Sequence, residues 1–238
     1  MNIQVIPNKV FIRLFYIILF LLFANIIGIV TKLNFGQETL RMLVLLFDFD
    51  TEANIPTLYS SFALVITSFL LLIIALYNNR TDSNQLYWFG LAIIFMFLSI
   101  DEIASVHERF SEPMRELLDT SGLLYYAWVI PYSIALVGFI AIYAKFLFDL
   151  PRATMLRFVI SGMIYVTGAI GFEVLGGKQA ELYGEVNLSF CIYYTCEEFL
   201  EMLGIIIFIH ALLSYIASEL KLLTITINEE KNIKSSLA

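Results

Sequence analysis

Six runs of roughly twenty or more mainly apolar residues dominate this chain. They restrict it to folds that satisfy every backbone N–H and C=O internally while crossing hydrocarbon, and for single segments that means α-helices. The runs lie near residues 10–30, 58–77, 86–106, 123–148, 156–176 and 188–217, the last long enough to tilt or project. The expected fold is therefore all-α: a polytopic membrane bundle of about six transmembrane helices, residues 1–223, with a polar, flexible cytoplasmic tail over residues 224–238. Composition agrees, since 60% of the 238 residues are hydrophobic and 15% charged, where soluble chains carry about 25% charged residues. A net charge of −7 without a basic patch argues against nucleic acid as a partner.

Punctuation separates the runs. Residues 78–84 form a polar turn, residues 149–152 another containing Pro151, and the pair Gly176 and Gly177 is expected to end the fifth helix. Pro131, near the start of the fourth, is placed where it could kink it. Residues 37–47 are apolar but too short to cross, and read as an interfacial or re-entrant helix. Lys9 and Arg13 precede a run too long for a signal-peptide core, which reads as a retained anchor. Cys191 and Cys196 fall five apart in one helix, so no internal disulfide is expected, and they define no redox compartment.

Six spans put both termini on one side, and the basic residues choose which side that is. Nine Lys and Arg share the side of the termini and five the other, so the termini are expected in the cytoplasm of a multi-pass cell-membrane protein. The acids divide the other way, with five on the inner side and the remaining sixteen on the outer. Asp101, Glu102, His107 and Glu108 close the third span, Glu173 lies near the end of the fifth, and Glu197, Glu198 and Glu201 open the sixth. In this topology all three groups meet in one leaflet.

Ionisable groups at such depth are functional candidates, because each costs about 2.5–3.5 kcal/mol at a helix centre on insertion scales. Asp101 falls roughly 22 Å along its helix from Leu86, inside the hydrocarbon, while Glu108 reaches the boundary. Treated as one helix, the stretch aligns Asp101, Ser105, Glu108 and Glu112, turns Glu102 away towards Arg109, and leaves His107 on neither face. Glu197, Glu198 and Glu201 crowd one flank near Tyr194 and require a shared proton or cation. Gly162, Ala169, Glu173 and Gly176 form a stripe of small residues that would bring Glu173 into the bundle interior.

This donor set fits a divalent metal: carboxylates suit Mg, Ca or Mn, and one imidazole admits Zn, Fe or Mn. Asp101, Glu102, His107, Glu108, Glu173, Glu197, Glu198 and Glu201 are the candidate ligands, with Asp101, His107 and Glu173 the candidate catalytic groups. Two histidines, His107 and His210, exclude a three-histidine zinc site, and no His-Glu-x-x-His, Glu-x-x-His or Cys-x-x-Cys motif is present. His210 lies roughly 20 Å along its helix from Glu197, and suits an interhelical hydrogen bond or a small inner cavity. Ser111, four residues beyond His107, lacks the glycine-rich elbow of a serine nucleophile. Residues 48–52 alternate acids as a calcium loop does, without its glycine or closing glutamate, and read as a solvated loop at the edge of the acidic mouth.

The segment 47–57, the pair Asp101 and Glu102 with His107 and Glu108, the run Gly171, Phe172 and Glu173, and residues 197–204 together resemble a group of uncharacterised bacterial multispan membrane proteins. That resemblance implies the class and no activity. On the residues alone, three readings stand: a metal-dependent membrane enzyme acting on a lipid or apolar substrate; a proton- or cation-coupled transporter, of which a chain this size could supply half by forming a homo-oligomer; and a membrane scaffold or assembly factor, with membrane lipids as partners in each case.

Overall fold

The computed structural model describes residues 2–35, 41–77, 84–220 and 224–226. Nine α-helices are found among them: α1 (Pro7–Phe35), α2 (Arg41–Phe47), α3 (Ile55–Tyr77), α4 (Gln85–Ala104), α5 (Val106–Leu118), α6 (Val129–Asp149), α7 (Arg152–Val166), α8 (Glu173–Tyr183) and α9 (Leu188–Tyr215). A π-helical stretch, Thr167–Phe172, joins α7 to α8, and a second, Ile216–Leu220, extends α9. Six rods are long and apolar enough to cross a membrane: Pro7–Phe35, Ile55–Tyr77, Gln85–Ala104, Val129–Asp149, Arg152–Tyr183 and Leu188–Leu220. The chain is thus an all-α multispan membrane protein. Its one β feature among the described residues is a short antiparallel pairing of β1 (Asn2–Gln4) with β2 (Thr224–Thr226). The first three residues of the expected flexible tail are therefore paired, and residues 227–238 lie outside the described residues, as does the turn at 78–83.

Helix α9 is the hub, packing against α1, α3, α7 and α8. Lipid offers no hydrophobic drive for helices to associate, so small residues and interhelical hydrogen bonds hold them together. The α3–α4 pair shows this directly. Ser61 and Ser99 approach to 2.8 Å between hydroxyls, and Ser68 Oγ donates to the Ala92 carbonyl at 2.7 Å. Against α7, Gly204 of α9 leaves room for Tyr165, whose backbone nitrogen would lie 2.9 Å from a Cβ at that position. Close approach here requires glycine. An aromatic cluster of Trp88, Phe146, Phe158 and Phe208 fills the half nearer the termini, with Trp88 and Phe146 edge-to-face at 4.9 Å.

Several expectations are corrected. The third span ends at Ala104: Ser105 takes a left-handed conformation (φ 49°), and α5 departs as a separate helix with no buried residue. Gly176 and Gly177 do not stop the fifth span, which continues to Tyr183 before Gly184 turns it at φ 75°. Instead Gly177 admits Tyr126, whose ring would lie 2.9 Å from an added Cβ. Gly162 faces open space, so only part of the expected small-residue stripe makes contact: Gly176 does, together with Gly168 and Gly204 from outside it. Helix α6 begins at Val129, which puts Pro131 in its first turn, where no intrahelical N–H bond is lost and no kink follows. Of the interfacial helix expected at 37–47, Arg41–Phe47 is helical and residues 37–40 lie outside the described residues.

The loop at 48–52 is not solvated. Asp48 is 3% exposed and Phe49 5%. Lys32, at the end of α1, reaches Asp48 Oδ2 at 3.5 Å and Asp50 Oδ2 at 3.3 Å, so those carboxylates already hold a cation of the protein's own. Buried Asn25 accepts the Phe49 N–H at 3.1 Å and donates to Thr195 Oγ1 on α9 at 2.9 Å. Asn54 closes the loop by donating to the Asp48 and Thr51 carbonyls at 2.6 Å each while its Oδ1 accepts the Thr57 N–H at 3.1 Å, capping α3. This web fixes the backbone that carries Glu52.

Candidate metal centre

The break after Ala104 builds the site. An α-helix that begins afresh at Val106 exposes its first N–H groups, and the Asp101 carboxylate turns back to receive one: Oδ1 accepts the His107 backbone N–H at 2.9 Å. Oδ2 accepts the Tyr132 hydroxyl at 3.1 Å and lies 3.3 Å from His107 Nδ1. Asp101 is 5% exposed and has both oxygens engaged. The continuous-helix picture, in which His107 joined no face and Glu102 turned towards Arg109, is overturned: the reversal at Ser105 folds the imidazole onto Asp101. Trp128 packs against that ring at 4.7 Å between centroids and holds its plane.

With Nδ1 bound to Asp101, the neutral imidazole presents Nε2 as its free ligand atom. That nitrogen faces Glu52 Oε1 at 3.9 Å. Glu52, His107 and Glu108 each bring one ligand atom to within 4.8 Å of the other two, a Glu/His/Glu group that could hold a metal ion. Glu52 Oε2 is buried without a hydrogen-bond partner. Buried oxygens are rarely left so, and an orphan beside two other donors suits an ion. Burial, then the charge of Glu108, push Glu52 up to about 8, against the opposing pull of His107. Burial alone would lower His107, but its hydrogen bond and charge contact with Asp101 outweigh that and raise it to about 9. Both shifts favour the protonated forms.

Deeper in the membrane lies a carboxyl layer. Glu173 Oε1 accepts the Trp128 indole N–H at 2.6 Å, and its carboxyl lies beside that of Glu197. Glu201 bonds the Tyr165 hydroxyl. Glu102 feels the charges of Glu198, Glu201, Glu52 and Asp101, and Glu198 those of His107, Glu173 and Glu108. The three sequence groups thus converge, but in two tiers: Glu108 and His107 above with Asp101 behind them, and Glu102, Glu173, Glu197, Glu198 and Glu201 below. Tyr194 is not among them; it packs in the cluster with Phe49 and Cys191, under Lys32 at 5.8 Å.

The π-helical stretch sets the lower tier. Gly168 lets α9 approach so closely that a Cβ there would sit 2.6 Å from the Glu197 carbonyl oxygen. The extra residue per turn re-aims the side chains beyond it, and Glu173 is the first of these. Sequence reasoning missed Glu52 as a member of the upper tier. Its one visible signal was its place on the acidic side, in a loop otherwise taken for solvated.

Residues 11–216 match the family described as Domain of unknown function (DUF8692). The chain belongs to that family. No curated protein and no solved structure matches it. The match spans both tiers of this family member, from before Glu52 to beyond Glu201. His210, also within the matched region, stands apart from the site and bonds Asn8 at 2.8 Å near the termini.

Proposed function

We propose that this protein binds a divalent metal ion through Glu52, His107 and Glu108 at the membrane face opposite its termini, with Asp101 orienting His107, and that the bound ion serves a reaction on a lipid or other apolar substrate. The observation that carries this reading is Glu52, whose Oε1 lies 3.9 Å from Nε2 of an imidazole locked by a carboxylate and whose Oε2 is buried without a partner. A carboxylate behind a histidine fixes the tautomer and raises ligand basicity, the arrangement found behind metal-bound imidazoles generally. One nitrogen with two carboxylates favours Zn, Mn or Fe over Mg and Ca. Three protein ligands leave room for water, which the ion would acidify for attack. Glu198 and Glu201, both in electrostatic contact with His107, would take up the proton. The excess of basic residues beside the termini supports a cytoplasmic side for them and an outer side for the metal centre.

A second reading is supported by the neighbouring carboxyls of Glu173 and Glu197 inside a span: a proton- or cation-coupled transporter. Metal analysis of the detergent-purified protein separates the two. The metal centre predicts about one ion per chain in the wild type, lost in Glu52→Gln and in His107→Phe with melting temperature retained. A wild type that binds no Zn, Mn or Fe at millimolar supply overturns it. Cation flux in liposomes abolished by Glu173→Gln, with metal content unchanged, would favour transport.

A further inference from the structure

The end of the molecule that holds both termini carries a cavity of about 360 Å³ between the start of α1, α7 and the last turns of α9. Its polar lining is Asn8, Arg157, His210, Ser214 and Ser218. Most of these side chains are already engaged. His210 Nε2 meets Asn8 Oδ1 at 2.8 Å, Ser214 Oγ donates to the His210 carbonyl at 2.7 Å, and Ser218 Oγ donates to Glu219 Oε1 at 3.1 Å. Arg157 differs from them. Among the described residues it makes no hydrogen bond and no ion pair, although its charge bears on His210. The cavity therefore sets a guanidinium near an imidazole with no carboxylate in its lining.

Depth narrows what could enter. Arg157 stands five residues into α7, about 8 Å along its axis, and Asn8 is the second residue of α1, so both lie at the polar boundary of their leaflet. Phosphate groups populate that level. A guanidinium presents a planar fork of donors that matches phosphate oxygens two at a time, and basic pockets between helices at this boundary take up lipid headgroups.

We propose that this cavity binds a phosphate group, with Arg157 as the bidentate donor and the His210–Asn8 pair as the polar wall beside it. The phosphate is that of an anionic lipid headgroup or of a free phosphate compound, and the two sources share this chemistry. The site is independent of the metal centre, at the other end of the bundle.

The test uses the full-length protein in zwitterionic nanodiscs, titrated separately with short-chain phosphatidylglycerol and with inorganic phosphate, for the wild type, Arg157→Gln and Arg157→Lys. Arg157 is exposed, so these variants should keep the wild-type melting temperature, which is checked first. Retention of phosphatidylglycerol by native mass spectrometry, weakened at least about tenfold in Arg157→Gln and less in Arg157→Lys, supports the lipid source. The same dependence for inorganic phosphate, with phosphatidylglycerol unable to compete, supports the soluble source. Equal binding by wild type and Arg157→Gln on both probes overturns the proposal.

Discussion

Replacing Asp101 by Asn tests how the metal centre is organised. The carboxylate accepts three donors, the His107 N–H at 2.9 Å, the Tyr132 hydroxyl at 3.1 Å and His107 Nδ1 at 3.3 Å. Asn keeps one acceptor oxygen for the backbone N–H, but sets an NH₂ against the other two donors. The imidazole loses its fixed tautomer, which for a carboxylate behind a metal-bound histidine costs about 10–100-fold in affinity. A second effect runs the other way. In the wild type a metal must displace a proton from an imidazole raised to about 9, which at pH 7 weakens binding about 100-fold. Without Asp101 the imidazole returns towards its ordinary value near 6.5 and that competition disappears. The expected result is two affinity curves that nearly meet at pH 7 and separate by about 10–100-fold at pH 9.5. Chelator-buffered titration with Zn²⁺ or Co²⁺ across this range measures them. Parallel curves, offset equally at every pH, would refute the claim that Asp101 acts by holding His107.

Stability without metal should fall as pH rises. His107 is raised in the fold, so its contribution is complete below 6.5 and vanishes as pH climbs through about 9; Glu52, raised to about 8, also binds its proton more tightly folded than unfolded and loses in the same direction. The melting temperature of the metal-free protein should therefore drop between pH 6.5 and 9.5, and saturating metal should reverse the drop. Gly168→Ala should destabilise the protein by about 1–3 kcal/mol, the usual cost of overpacking, because the new methyl would sit 2.6 Å from the Glu197 carbonyl oxygen. Thermal unfolding in detergent checks this, and an unchanged midpoint would show that the π-helical stretch and α9 do not meet as described.

Much of the architecture was legible because burying backbone in hydrocarbon leaves few choices. Apolar runs of spanning length marked the six rods, except that the fourth begins at Val129 where 123 was expected and the fifth runs on past two glycines that serve helix contacts, Gly177 with Tyr126 among them. A gathering of acids could also be expected, since an even number of crossings brings the ends of spans three and five and the start of span six to one side. The break at Ser105 was not. No glycine or proline marks it, and a left-handed serine is chosen by its surroundings: Asp101 receiving the new N-terminus, and Trp128 and Tyr132 closing over the imidazole.

The amino-acid order alone determined the membrane class, the six crossings and the presence of many costly carboxyls at one depth, because transfer energies act on each residue wherever its neighbours are. Which of those carboxyls meet was left to tertiary structure. Glu52 enters the site only because Asn25, Lys32 and Asn54 bind its loop into the bundle, and His107 only because a reversal between two helices turns it onto Asp101. Both depend on hydrogen bonds between residues far apart in the chain or across a turn, which no periodicity along one helix can express.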